Sequence, residues 1–369
     1  MAGADTQRAH LTVGYELTGL ELDAAGSARA MRGLRSTLEA RPDVTVVPLA
    51  HRRRARLRLG RIARGLSREL LYFPVVLPRR AARLSLDLLH CPMPLAPLRG
   101  RTPLVVTVHD MAVWDHPEWF ERPIVLQQRL ILARALRRAR RILTPSQSTR
   151  QRVLDLLEVD AGAVAVAPWG VEQYFSPGSP DRPILDRLGV DGPYVLAVGT
   201  LEPRKNLEAA LEAFERLVRD GAEHRLVIAG ARGWREDELM ARLRGSPASA
   251  RVRVLGRVEE QDLLALYRGA DCLVYPSRYE GFGFPPLEAM ACGTPVVCAR
   301  TTSLPEVVGD AAALFALDDR ESLHGALGDM LASPERRQEL AERGLARAAQ
   351  FTWARCAEQT VRVYRDAAA

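Results

Sequence analysis

Cysteine is scarce and unpatterned in this chain of 369 residues. Cys91, Cys272, Cys292, Cys298 and Cys356 are an odd set without CxxC spacing, which argues against a disulfide framework or a zinc site. Cys272, Cys292 and Cys298 lie in apolar runs and read as small buried residues. No uncharged apolar run reaches the roughly 18 residues of a membrane-spanning helix, so none is expected. The opening residues MAGADTQRAH lack the apolar core of a signal peptide, and the expected location is the cytoplasm. No internal repeat stands out.

Apolar material is plentiful at 47%, and the length suits two domains. The net charge is +7 and unevenly spread, with eight arginines between Arg52 and Arg68 and a second basic stretch, Ala133–Arg141. Positive charge of this kind invites phosphates in some form. No aromatics interleave with these arginines and no reader motif is present, which argues against nucleic acid. Arg52–Leu70 can be drawn as an amphipathic helix with Leu59, Ile62, Leu66 and Leu70 on one side. That profile suits an anionic membrane surface, and equally a solvated helix in an arginine-rich protein.

Short β-branched runs alternate with helical segments, the pattern of α/β layers with parallel sheets. The first half predicts strands at Leu11–Leu17, Val44–Leu49, Leu104–His109, Arg141–Pro145 and Val164–Pro168, with helices at Ala28–Glu39, Ile124–Ala139 and Thr149–Leu157. The Pro- and Gly-rich stretch Ser176–Pro183 is the best linker in the chain. A second cycle of strands and helices follows from Tyr194 to Cys298. The expected domains are 1–178 and 184–350, with a helical segment 351–369 at the end. Ligands of such sheets bind beyond the carboxyl ends of the strands.

The segment YPSRYEGFGFPPLEAMACGTPVV, Tyr275–Val297, carries the strongest chemical signal. A strand, a loop with Gly281 and Gly283, and prolines suited to a helix start together make an anion site. Glycine lets the backbone approach a phosphate or sugar closely. Glu280 and Glu288 flank the loop, with seven residues between them. Carboxylates repel phosphate but accept hydrogen bonds from polyol hydroxyls, so one glutamate for a sugar and one for a ribose would suit a nucleotide-sugar. From spacing alone a second explanation stays open: Glu288 favours a helix N-terminus and Glu280 is solvated.

The segment resembles the E-x7-E signature of the family 4 retaining glycosyltransferases, and the resemblance extends over most of the chain. VGTLEPRKNL (Val198–Leu207) is similar to the family's pyrophosphate-binding loop, and LVVTVHDMAVWDHPEWF (Leu104–Phe120) to its sugar-site loop. The resemblance implies the GT-B fold, two Rossmann-like domains facing across a cleft, and transfer of a sugar from a nucleotide-sugar donor to a glycan or lipid-linked acceptor. It implies that Glu280 holds donor-sugar hydroxyls and Glu288 the ribose. Backbone amides around Phe282, Gly283 and Phe284 would meet sugar and phosphate, Arg204 and Lys205 would neutralise the pyrophosphate, and His109 would lie beside the donor sugar. Gly26 and Ser27 stand where the family's first-domain glycine loop falls, and Thr200 replaces a common arginine. The final helix would cross back to the first domain; packing within the second is the alternative.

No Asp-x-Asp occurs, so no metal or other cofactor is expected. The motifs look most like mannosyl- or rhamnosyl-type members, with GDP-mannose the first choice of donor. A GT-B phosphorylase or epimerase, or a non-catalytic sugar- or lipid-binding partner subunit, are the competing readings.

Overall fold

The computed structural model describes residues 10–21, 26–51, 68–93, 95–233 and 236–369. Most of Arg52–Leu70 therefore lies outside the described residues. The chain divides into two compact units, Met1–Gly170 with Thr352–Ala369, and Val171–Phe351.

The first unit holds a parallel sheet ordered β2-β1-β3-β4-β5-β6. Its strands are β1 Leu11–Glu16, β2 Val44–Leu49, β3 Leu88–Cys91, β4 Leu104–Thr107, β5 Arg141–Thr144 and β6 Val164–Val166. The strand order reverses between β1 and β3. Parallel strands are covered by helices on both faces, and they read as continuous apolar runs. β3 is the strand that sequence pattern misses: LLHC holds no β-branched residue, yet all four residues are buried and the strand pairs with both β1 and β4. The helix expected at Ile124–Ala139 runs from Arg122 to Arg138 and widens to π geometry over Gln128–Leu132.

The C-terminal helix Trp353–Ala368 belongs to this first unit. Thr352 caps its start by accepting a hydrogen bond from the Arg355 N–H. Trp353 lies over Gly33 of the helix Gly26–Glu39, where a Cβ would fall 2.3 Å from the indole. Tyr364 bonds His90 at 2.6 Å, and Arg365 bonds Asp43 at 2.8 Å.

The second unit repeats the plan with β7 Tyr194–Val198, β8 Arg225–Ala229, β9 Val252–Gly256, β10 Cys272–Tyr275, β11 Val296–Ala299 and β12 Ala313–Phe315. The sheet is parallel and ordered β12-β11-β10-β7-β8-β9, so it reverses between β7 and β10. The units divide at Gly170, ahead of the Pro/Gly-rich stretch. The reason is local: Arg268 donates to the carbonyl and hydroxyl of Ser176, and the Phe175 ring meets Tyr267 edge-on, which ties this segment to the second unit.

Candidate active site

The reversal between β7 and β10 places two loops side by side at the carboxyl ends of adjacent strands, where α/β sheets bind ligands. After β7 the chain passes through Gly199, at φ 153°, and crosses directly over Gly230. A Cβ on Gly230 would sit 1.8 Å from the Gly199 carbonyl oxygen, so only glycine permits this crossing. A single 3-10 turn, Pro203–Lys205, then presents Arg204 and Lys205, and Asn206 in left-handed conformation starts the helix Leu207–Arg219.

The loop after β10 is latched to this turn. The Arg278 N–H donates to the Arg204 carbonyl at 2.8 Å, the Asn206 amide to the Pro276 carbonyl at 3.1 Å, and the Arg204 guanidinium to the Tyr279 carbonyl at 2.9 Å. At their junction lies a cluster of two cations and two carboxylates. Lys205 Nζ is 2.5 Å from Glu280 Oε1, and Arg204 reaches Glu280 Oε2 at 3.2 Å and Glu202 Oε1 at 2.8 Å. Tyr275 and Ser277 donate to the same Glu280 Oε1 at 2.7 and 2.6 Å.

These contacts set the protonation states. Burial would raise the Glu280 carboxyl, but the charges of Lys205 and Arg204, with hydrogen bonds from Lys205 and Ser277, outweigh it and hold the group at about 2. Glu280 is a buried anion. Burial lowers the Lys205 ammonium, and the Glu280 charge opposes that shift. Burial also raises Glu202, against the pull of Arg204 and Lys205.

The Gly281–Phe284 segment is held from behind by residues that follow β11. Ser303 Oγ bridges the carbonyls of Glu280 and Phe282, and Thr302 Oγ1 accepts the Glu280 N–H at 3.0 Å. Gly283 has φ 120°, and a Cβ there would meet Leu304 at 2.8 Å. The helix begins at Phe284, with Pro285 and Pro286 in its first turn where a missing N–H costs little. Glu288 in this helix is 1% exposed and accepts the Tyr267 hydroxyl at 2.9 Å.

The structure thus brings together Glu280, Arg204 and Lys205 and sets the loop Gly281, Phe282, Gly283 and Phe284 directly after Glu280 in the chain. It adds Glu202, Tyr275, Ser277, Thr302 and Ser303, which sequence reasoning passed over. Tyr275 and Ser277 stand inside the motif segment itself; Thr302 and Ser303 carry no local signal.

In the first unit, His109 follows β4. Its Nε2 lies 2.6 Å from the Pro92 carbonyl, and its ring is 5.2 Å from Trp169. Neighbouring Asp110 accepts the Ala112 N–H and turns the chain into a short helix. Gly26 and Ser27, expected at a glycine loop, are the first two residues of the helix Gly26–Glu39. All five cysteines are free and buried. Among the described residues no helix is long and apolar enough to cross a membrane.

A paired-cation turn and a glycine-bearing loop meet at the strand-order reversal of the second unit's parallel sheet, the usual ligand position in α/β sheets. The family description "Glycosyl transferases group 1" matches residues 186–347, and "Glycosyltransferase Family 4" matches residues 24–173. The O-antigen chain mannosyltransferase B of Escherichia coli is 36% identical over 266 residues, 71% of this chain and 70% of that one. The serotype-specific mannosyltransferase WbdA of Escherichia coli is 31% identical over 231 residues, 61% of this chain but 28% of that larger protein. Sucrose-phosphate synthase from Thermosynechococcus elongatus shares the fold, with a TM-score of 0.79 at 20% identity over 96% of this chain and 98% of that one. The chain belongs to the family 4 glycosyltransferases, and it has the GT-B fold.

Proposed function

We propose that this glycosyltransferase moves a mannose-type sugar, with GDP-mannose the favoured donor, onto a glycan or lipid-linked acceptor, with retention and without a metal. The observation that carries the reading is the Arg204–Lys205 turn beside the Gly281–Gly283 loop. A nucleoside diphosphate leaving group gains negative charge as its bond to the sugar breaks, and fixed cations stabilise that charge. The mannose preference rests on the two mannosyltransferases of Escherichia coli to which the chain is similar.

Retention is what the family resemblance implies, and the carboxylates bear on how it is reached. Glu280 is engaged by Lys205, Arg204, Tyr275 and Ser277, and Glu288 by Tyr267, which disfavours either as a covalent nucleophile. In the step favoured here, the acceptor oxygen bonds to the anomeric carbon on the face the diphosphate leaves. The carbon–oxygen bond to phosphate breaks, and the acceptor proton passes to the departing phosphate oxygen. His109 keeps the sugar-orienting role that the family resemblance implies. Arg52–Leu70 would lie on anionic lipid at the cytoplasmic face of a membrane.

Thermal melts with GDP, UDP and dTDP in excess EDTA test the donor, because a ligand of the native state raises stability by mass action. GDP is expected to give the largest shift. Proton NMR of the first product tests the mechanism: an anomer opposite to the donor's, or activity lost on chelation and restored by Mg²⁺, overturns it.

A further inference from the structure

Tyr275 ends β10, and its side chain is 2% exposed. Its hydroxyl is lodged between the two charges of the Lys205–Glu280 pair. It lies 2.9 Å from Lys205 Nζ and 2.7 Å from Glu280 Oε1. A phenol has one hydrogen to give and lone pairs to receive. The hydrogen goes to the carboxylate, which can only accept, and the ammonium donates to the phenol oxygen. Lys205 also lies 5.2 Å over the centre of the same ring.

The cluster is neutral as it stands: Glu202 and Glu280 offset Arg204 and Lys205. A diphosphate can be gripped only if a cation turns from carboxylate to phosphate. Arg204 is anchored at Glu202, the Tyr279 carbonyl and Glu280, whereas Lys205 is a point charge on a flexible stem and the freer of the two to turn. When it turns, Glu280 loses its shortest contact. A buried carboxylate left short of donors takes up a proton. Burial, with the Glu280 charge beside it, drives the Tyr275 phenol well above its usual range, so it remains a donor throughout.

We propose that Tyr275 is a positioning residue that keeps Glu280 ionised and in place while Lys205 swings from that carboxylate to the diphosphate of the donor. The inference rests on the reading of Arg204 and Lys205 as a diphosphate cradle. Tyr275 is what lets one lysine serve two partners in turn.

The test is titration calorimetry of inorganic pyrophosphate and of GDP into the full-length protein at pH 5.5, in two buffers of different ionisation enthalpy. This yields both affinity and protons taken up. Tyr275→Phe is expected to bind pyrophosphate about tenfold more weakly, the loss of one charge-assisted hydrogen bond. It is also expected to take up more protons than the wild type, as Glu280 protonates. Unchanged affinity, or weaker binding with an unchanged proton count, overturns the proposal. Failure of the wild type to bind either diphosphate overturns the cradle reading instead, and Tyr275 with it. Should the Phe variant not fold, 3-fluorotyrosine at position 275 gives a second measurement. Its ¹⁹F resonance should shift on adding pyrophosphate and saturate with the binding curve, and an unmoved resonance rejects the swing.

Discussion

Replacing Glu280 by glutamine removes the charge on which Lys205 and Arg204 both rest, while keeping the shape. The amide nitrogen must face either Arg204 on one side or the donors of Lys205, Tyr275 and Ser277 on the other, donor against donor either way. The size of the effect follows from the acidity of the carboxyl. Folding lowers it from 4.5 to about 2, and at 1.36 kcal/mol per pH unit this gap is worth about 3 kcal/mol. Breaking a buried ion pair from one side costs about 3–5 kcal/mol by an independent route. At about 2–4 °C per kcal/mol for a unit of this size, Tm of the second unit should fall by about 6–12 °C at pH 7.

The sign of the pH dependence is equally definite. A carboxyl depressed by folding stabilises fully above its unfolded value and loses that contribution as pH falls through its folded one. The wild type should therefore lose this increment between pH 4.5 and about 2, and Glu280→Gln, which has no proton to take up, should not. The difference in Tm between the two proteins must narrow across that window. Thermal melts by circular dichroism at pH 7, 5, 4 and 3 measure it. A gap as wide at pH 3 as at pH 7, or no destabilisation at pH 7, refutes the picture of Glu280 as the buried counter-ion of the cluster.

Two further substitutions probe the supports. Tyr364→Phe leaves buried His90 without the partner at its Nδ1. This histidine is held neutral at about 3 by burial and by His109, so the change should cost about 1–3 kcal/mol and lower Tm by a few degrees without altering GDP affinity. Gly230→Ala places a methyl 1.8 Å from the Gly199 carbonyl and must push the loop that carries Arg204 and Lys205. Calorimetry should then show at least tenfold weaker diphosphate binding in a protein that still folds; wild-type affinity would contradict the close crossing described.

What depends on local chemistry is legible in the residue string. β-branched runs spaced by amphipathic segments dictate parallel α/β layers, because such runs are stable only when covered on both faces. The glycines and prolines of Tyr275–Val297 dictate a strand, a tight loop and a helix start, through backbone sterics that need no distant partner. Which groups meet is a matter of the folded chain. Lys205 and Glu280 are 75 residues apart in the chain, and Glu280 reads from the sequence as a ligand for sugar hydroxyls. In the fold one of its oxygens is occupied by an ammonium, a phenol and a serine hydroxyl. β3 is a strand because its neighbours supply ladder bonds, not because LLHC favours one. The last helix joins the first unit because Gly33 makes room for Trp353 and His90 accepts Tyr364 as a partner across 274 residues of sequence. Contacts of this kind bring together residues far apart in the chain, and only the sheet order that places their strands side by side determines them.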